Sequence, residues 1–430
     1  MAEKLFIFED DKYNRFFPLT YNRPVYELLC GITRIKDKIS SLFPEAQVIL
    51  LCRDYLEKVL KLRTGQKVNE LDIKNDDQIL LINGRILPSP AFSEKVNFSE
   101  EERFFFWGDD MIGYSGRGEA FKNRKSSLQA LHVKDQIKLL KSEIDFLEAE
   151  VRIINYPWDL VSQNNLEIEA DFERIKPSLN FKNMFKLNQV DDQALIYHVK
   201  KVYLGKDSQI DGQVVLDARN GSIFIGDRVS IQPHTRLVGP CYIGEDSILV
   251  GGKIGEGTSI GPFCRIGGEV EESIFLGHSN KYHEGFLGHS YVGEWVNLGA
   301  LTTNSDLKNN YSPVKVMVND SLVDSGLTKV GAFIGDHVKT GIGTLLNTAV
   351  SIGFASNIFG GGMIQQKSIP SFFWGSFEKQ EECNLEKAIQ TAKAVMKRRG
   401  VELGTDEVNL FKKIFQLTEK ERRTIGFPGD

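Results

Sequence analysis

Two histidines five residues apart, His278 and His283, and an asparagine fourteen residues past the second, Asn297, carry the side chains best suited to chemistry in this chain. Imidazole has a reference pKa of ~6.5, so a histidine beside a nucleophile can take its proton near neutral pH. Two imidazoles at that interval can also share a zinc ion, if a third ligand completes the set and one position stays open for water. His234 is the candidate third ligand, although it lies 44 residues before His278. Lys281 lies between the two histidines, and a lysine so near would suit a sugar phosphate. Far upstream, Arg15, Arg23 and Arg85 are candidates for phosphate contact; as solvated or salt-bridged arginines they would have no such task.

The elements that must position these residues repeat with a period of six. Aliphatic residues stand at Ile225, Ile231, Leu237, Ile243 and Leu249, then, after one five-residue step, at Ile254, Ile260 and Ile266. A second frame runs Ile334, Thr340, Leu346, Ile352, Ile358, Ile364. Neither a helix nor an alternating strand has this period. A coil of three short flat strands does, with one aliphatic side chain per strand aimed at the axis and Gly or small polar residues at the corners. The spacing predicts a left-handed parallel β-helix from about Tyr203 to about Ile369. The segment 302–329 breaks the rhythm and is expected to leave the coil. Beyond Ser376, Leu385, Ile389, Ala392, Val395 and Met396 form one helical stripe that Gly400 can stop. A second helix, capped by Thr405, carries Val408, Phe411, Ile414 and Phe415. Helices here would cover an exposed coil end.

Upstream, Leu5–Phe8, Gln47–Leu51 and Gln78–Ile82 read as buried strands. Helical spacing lies between them at Leu28, Ile32, Ile35 and Ile39, and again over Tyr55–Leu62. A further helix is expected over Ser127–Leu147. Strands alternating with helices imply parallel pairing and an α/β layer structure. The whole reads as three parts, residues 1–190, 200–370 and 376–430. At 430 residues more than one domain is expected, and the net charge of −5 without long Lys/Arg runs offers nothing to nucleic acid or an anionic membrane. No apolar stretch approaches the ~20 residues that span a bilayer. The start runs straight into Glu9-Asp10-Asp11, unlike a signal peptide, and the five cysteines are odd in number and unpatterned; a cytoplasmic protein with reduced thiols is expected.

An α/β domain followed by hexapeptide coils resembles the bifunctional family that joins an N-acetylglucosamine-1-phosphate uridyltransferase to a glucosamine-1-phosphate acetyltransferase, and is closest to a divergent bacterial subgroup of it. The stretch Ser279-Asn-Lys-Tyr-His283-Glu-Gly-Phe-Leu-Gly288 resembles the family's loop with its catalytic histidine, and Val296-Asn297-Leu-Gly-Ala300 resembles Val-Asn-Ile-Gly-Ala. Gly-Pro-Phe-Cys-Arg265 is similar to Gly-Pro-Phe-Ala-Arg, but the second arginine expected two residues later is Gly267. The resemblance implies His283 as acyl-transfer base, with Arg265, Lys281, Phe286, Asn297 and Lys329 binding the substrate. Phe286 stands where the family usually has tyrosine. The resemblance also implies Ala300, Asn310, Tyr311 and Gly360 beside acetyl-CoA or another acyl-CoA, and a homotrimer. Large side chains off the interior column, Phe224, Tyr242, Phe275, Phe286, Tyr291 and Trp295, suggest faces that a neighbouring copy would bury.

In the amino-terminal half, Phe17-Pro-Leu-Thr20-Tyr-Asn-Arg23-Pro24 resembles a sugar nucleotidyltransferase signature, and Tyr156-Pro-Trp-Asp-Leu160 resembles a second. The glycine-rich turn that lets backbone amides approach phosphates is replaced by Glu9–Arg15. Val25 replaces a lysine. Arg85 and Ile153 replace the carboxylates that would hold Mg²⁺ against a pyrophosphate leaving group. The combined expectation is an α/β chain with a Rossmann-like nucleotidyltransferase-type domain, a left-handed parallel β-helix and carboxyl-terminal helices. It would act as an acyl-CoA-dependent N-acyltransferase on an amino-sugar phosphate or a nucleotide amino sugar. Its rivals are a sugar-nucleotide-binding regulator without turnover and a β-helix zinc lyase of γ-carbonic anhydrase type.

Overall fold

The computed structural model describes residues 2–376 and 379–423, so residues 377–378 and 424–430 of the expected carboxyl-terminal part lie outside the described residues. The chain forms two compact units, one of Met1–Phe16, Thr20–Leu28 and Thr33–Tyr156, the other of Phe17–Leu19, Leu29–Ile32 and Pro157–Asp430.

The first unit is built on a seven-stranded sheet. An interior strand, Glu3–Phe8, pairs in parallel with Gln47–Leu51 and Gln78–Asn83. The run Leu5-Phe6-Ile7-Phe8 is buried on both faces, as an interior parallel strand requires. Asp110–Arg117 continues the sheet antiparallel to Gln78–Asn83. The expected helix over Ser127–Leu147 is two, Gly118–Gln129 and Gln136–Glu143, broken where Asp135 takes φ 64°. Its apolar residues Leu128, Leu131, Ile137 and Leu140 are nevertheless buried together.

The expected helix from Leu28 to Ile39 is also shorter, covering only Ile35–Ser41. The preceding Leu29–Ile32 belongs to the second unit, where side chains replace helical hydrogen bonding. Leu29 N–H donates to Tyr291 Oη at 2.8 Å, Gly31 N–H to Asn164 Oδ1 at 2.6 Å and Ile32 N–H to Asp171 Oδ2 at 2.8 Å. Gly31 has φ 80°, and a Cβ there would stand 2.7 Å from the Glu167 carbonyl oxygen. Only glycine fits that approach.

The second unit is a parallel β-helix. Stacking starts at Gln189–Val190, which pairs with Gln209–Ile210, and continues to Phe373–Gly375. Ile225 lies beside Ile243 and Ile231 beside Leu249, each three hexapeptides on, so one coil is eighteen residues. Ile225, Ile231, Leu237, Ile243, Leu249 and Ile254 are all buried in one column. Residues at many corners adopt positive φ without being glycine. One such corner stacks aromatics from coil to coil: Phe263 on His278 at 4.8 Å, His278 on Trp295 at 4.2 Å, and Trp295 on His337 at 6.4 Å. The helix Thr405–Leu417 closes this ladder by setting Phe411 against His337 and Phe354. Its N-cap is Gly404, so Thr405 is the first helical residue instead of the cap. The rhythm-breaking segment carries an antiparallel hairpin, Lys315–Val318 with Ser321–Asp324, closed at its base by a bridge between Leu307 and Lys329.

The large off-column side chains have partners within the chain. Phe224 and Tyr242 pack with Tyr203 against Ile168 and Phe172 of the helix Pro157–Ile175. Tyr291 is bonded to the Leu29 backbone, Phe275 lies in the interior column, and Trp295 is in the corner stack. Those residues therefore do not mark a bare face: the helix and the Leu29–Ile32 segment cover Phe224, Tyr242 and Tyr291, and Phe275 and Trp295 pack against the coils themselves. Among the described residues, no helix is long and apolar enough to cross a membrane.

Candidate functional site

Coil stacking brings residues far apart in sequence onto one face. Asn280 and Asn297 stand side by side in successive coils, and Lys339 follows in the next. Above them opens a cavity of about 460 Å³ lined by Arg265, Asn280, Tyr282, His283, Asn297, Leu298, Gly299, Ala300, Ile342, Val395, Arg398 and Arg399. Four of the residues singled out in the sequence, Arg265, His283, Asn297 and Ala300, share this cavity. The His283 side chain is exposed to it, its ring 5.3 Å edge-on from that of Tyr282. Asn297 Oδ1 accepts from Asn280 Nδ2 at 3.3 Å.

The other expected contacts fall elsewhere. Lys281 is 2% exposed and faces inward. Its Nζ donates to the Gly267 carbonyl at 2.9 Å and the His283 carbonyl at 3.3 Å, and burial pushes its pKa down to about 8. Its place is therefore as a brace beneath the His283 loop and not as a substrate contact. Phe286 lies against Gly288, half-buried. Asn310 and Tyr311 are exposed on the segment that leaves the coil, where Asn310 Oδ1 accepts from Ser312. Gly360 sits at an exposed corner with φ 95°. None of these lines the His283 cavity. His278, half of the zinc reading, is clasped face-to-face between Phe263 and Trp295. Among the described residues, no three His, Cys, Asp or Glu side chains are placed to share a metal ion.

Sequence reasoning missed Asn280, Tyr282, Ile342, Val395, Arg398 and Arg399. The last two close the helix Leu385–Lys397, where a basic pair reads first as a partner for the helix dipole.

Lys329 lines a second cavity of about 260 Å³ with Glu272, His289 and Trp158. Here the His289 ring bridges two carboxylates, Nδ1 to Asp306 Oδ2 at 2.8 Å and Nε2 to Glu272 Oε2 at 3.3 Å. Burial alone would push its pKa down, but the two hydrogen bonds and the negative charges raise it to about 9. A histidine whose folded pKa exceeds the unfolded value of ~6.5 stabilises fully below that value, and the gain is lost as pH rises through the folded pKa. Glu272 and Asp306 are held below their usual range, so their share is lost on acidification instead. The melting temperature is expected to fall between pH 7 and pH 10, and His289→Asn to flatten that fall. Equal slopes in the two proteins would show that the bridge carries no pH-linked stability.

In the first unit the expected phosphate arginines are differently engaged. Arg85 is 1% exposed, and its guanidinium meets Asp10 (Nη2–Oδ2 2.6 Å), Asp110, the Ile154 carbonyl and Asn155. Burial disfavours this charge, but the two aspartates outweigh that and raise its pKa. The residue is thus a structural cation and is not open to a phosphate. Arg15 is half-buried with its guanidinium 5.4 Å from the Tyr156 ring centroid, and Arg23 is buried. Glu9 pairs with Arg53 at 2.8 Å. Two buried ion pairs therefore anchor the segment that stands where a glycine-rich turn would be. The Asp10 and Asp110 carboxylates already hold a cation, so this residue set does not fit Mg²⁺ in the expected manner.

The sugar nucleotidyl transferase family model matches residues 5–178. A bifunctional sugar-1-phosphate nucleotidylyltransferase/acetyltransferase of Sulfurisphaera tokodaii is 34% identical over 300 residues, which cover 69% of this chain and 64% of that protein. A bifunctional protein GlmU of Methanococcus vannielii is 27% identical over 216 residues, 50% of this chain and 44% of that protein. The chain thus spans less than two thirds of the length of either relative. Among solved structures, a UDP-N-acetylglucosamine acyltransferase aligns at 14% identity with a TM-score of 0.24, over 57% of this chain and 84% of that one, a likeness too slight to argue from.

Proposed function

We propose that this chain, which belongs to the bifunctional sugar-1-phosphate nucleotidyltransferase/acetyltransferase family as a divergent member, is an acyl-CoA-dependent N-acyltransferase. Its acceptor would be an amino-sugar phosphate or a nucleotide amino sugar. The observation that carries this reading is the shared cavity of His283, Asn297, Arg265 and Ala300. In the reaction the acceptor amine attacks the thioester carbonyl, forming the C–N bond as the C–S bond breaks. The amine proton passes to the His283 imidazole and from there to the departing thiolate. Arg265 offers charge to an anionic acceptor, and Asn297 offers hydrogen bonds to its sugar. A screen of purified protein with acetyl-CoA against amino-sugar phosphates and nucleotide amino sugars, reading thiol release, tests the proposal. No release above the hydrolysis background with any acceptor would remove it.

The active form in this reading is a homotrimer whose subunits share the site. The support is an apolar strip beside the cavity. Ile342 lines the cavity yet is 73% exposed, and Leu301, Phe359, Met363 and Trp374 are also exposed, with Phe359 and Trp374 in edge contact at 5.3 Å. A neighbouring copy would bury this strip. Light scattering at micromolar protein is expected to give three times the 48.5 kDa of one chain. A single-chain mass would leave the cavity to be completed by its own chain alone.

A further inference from the structure

The cavity around His283 is strongly positive for a reason absent from its hexapeptide motif. Three guanidinium-bearing residues line it, Arg265 from a coil strand and Arg398 and Arg399 from the end of the helix Leu385–Lys397, and among the described residues no carboxylate does. Arg399 is partly buried and tethered, its Nη2 donating to Asn280 Oδ1 at 2.8 Å, and Asn280 in turn donates to Asn297. Burial and the charges of Arg265 and Arg398 lower the Arg399 pKa, so the three feel one another through the cavity. Among the described residues, none of the three takes part in an ion pair. Like charges gathered without a counter-charge oppose one another until an anion enters.

We infer that Arg398 and Arg399 form, with Arg265, the recognition site for a phosphate group of the acyl acceptor, supplying from the carboxyl-terminal helix the positive charge that Gly267 leaves out of the coil. Guanidinium is the group suited to this task, because its planar fork meets two phosphate oxygens at once. The placement makes the end of the helix Leu385–Lys397 a specificity element. It favours a phosphorylated amino sugar over a free one. This rests on the acyltransferase reading only for the identity of the bound molecule.

The test separates binding from turnover. Titration calorimetry with glucosamine 1-phosphate, glucosamine and acetyl-CoA is run on the wild-type chain and on Arg398→Gln/Arg399→Gln, with acetyl transfer assayed in parallel. The double variant is expected to bind glucosamine 1-phosphate about tenfold or more weakly, as the loss of charge-assisted bonds implies, with its affinity for acetyl-CoA unchanged. Where turnover is measured, KM for the phosphorylated sugar rises and kcat stays within a small factor. Arg398→Gln alone, at an exposed side chain, and the double Lys variant, which keeps the charge, are expected to fall between the two and keep the fold. If acetyl-CoA affinity drops and sugar-phosphate affinity does not, the arginines serve the coenzyme's phosphates and the inference is overturned. Unchanged binding of both ligands, or no wild-type preference for the phosphorylated sugar, overturns it as well. Wild-type binding of the sugar phosphate without acetyl transfer leaves the phosphate site standing and removes the acyltransferase reading instead.

Discussion

His283→Ala is expected to lower the acyl-transfer rate by about 10²-fold or more while leaving CoA affinity unchanged. The size follows from the role. A positioned general base contributes about 10²–10⁴-fold, and each decade corresponds to about 1.4 kcal/mol of lost transition-state stabilisation. Stability is not expected to follow, because the side chain is exposed and its ring contact is the edge of Tyr282, itself exposed. The change therefore reads out chemistry and not folding. His283→Gln, which keeps size and polarity but cannot take the proton, is expected to be as slow as alanine. Steady-state thiol release with acetyl-CoA and the best acceptor measures both. A variant with unchanged turnover would end the assignment, and the base would have to be sought elsewhere along the cavity.

The coils were legible because their periodicity reports burial directly. An aliphatic residue every six positions has to face the axis, and the residues in that frame are the buried column. Arg265, His283, Asn297 and Ala300 are named through their resemblance to family motifs, and coil stacking explains why they share one cavity. In stacked coils, residues one coil apart in sequence are neighbours in space, so Asn280 and Asn297 meet. Periodicity is silent about the outside of the coil. It separates inward from outward positions but says nothing of what covers an outward one. Phe224 and Tyr242 therefore suggested a subunit interface, when the helix Pro157–Ile175 lies over them. The family resemblance places Lys281 among the substrate contacts. Here the chain turns so that its ammonium ties two carbonyls beneath that loop. Arg398 and Arg399 lie more than 100 residues from His283, outside the repeat that made the rest countable. In the first unit, the family resemblance places Arg85 where a metal-binding carboxylate is expected. It could not reveal that Asp10 and Asp110 would converge on the replacement.

That convergence supports the other large effect. Asp10→Ala is expected to destabilise the first unit by about 3–5 kcal/mol, the usual cost of removing one partner from a buried ion pair. Both Asp10 oxygens accept from Arg85 Nε, at 3.0 and 2.9 Å, and Oδ2 also accepts from Asn83 Nδ2 at 2.8 Å. Without Asp10 the guanidinium keeps Asp110 and neutral partners. Asp110, by contrast, retains Lys12 at 2.5 Å if Arg85 is lost. Replacing both charges, as in Arg85→Met/Asp10→Leu, is therefore expected to recover much of the loss, because no buried charge is left orphaned. The chain has two units and need not unfold in one step, so hydrogen exchange in the strands Glu3–Phe8 and Gln78–Asn83 is the better measure. Equal protection in wild type and Asp10→Ala would mean that the pair contributes nothing. The same geometry bears on nucleotidyl transfer. Mg²⁺ would have to compete with a covalently tethered cation already bonded to Asp10 and Asp110. Magnesium-dependent release of pyrophosphate from UTP and a sugar phosphate is accordingly expected to be absent or very slow. Robust release would require a metal set built from other carboxylates, and Arg85 would then be a neighbour of that site and not its substitute.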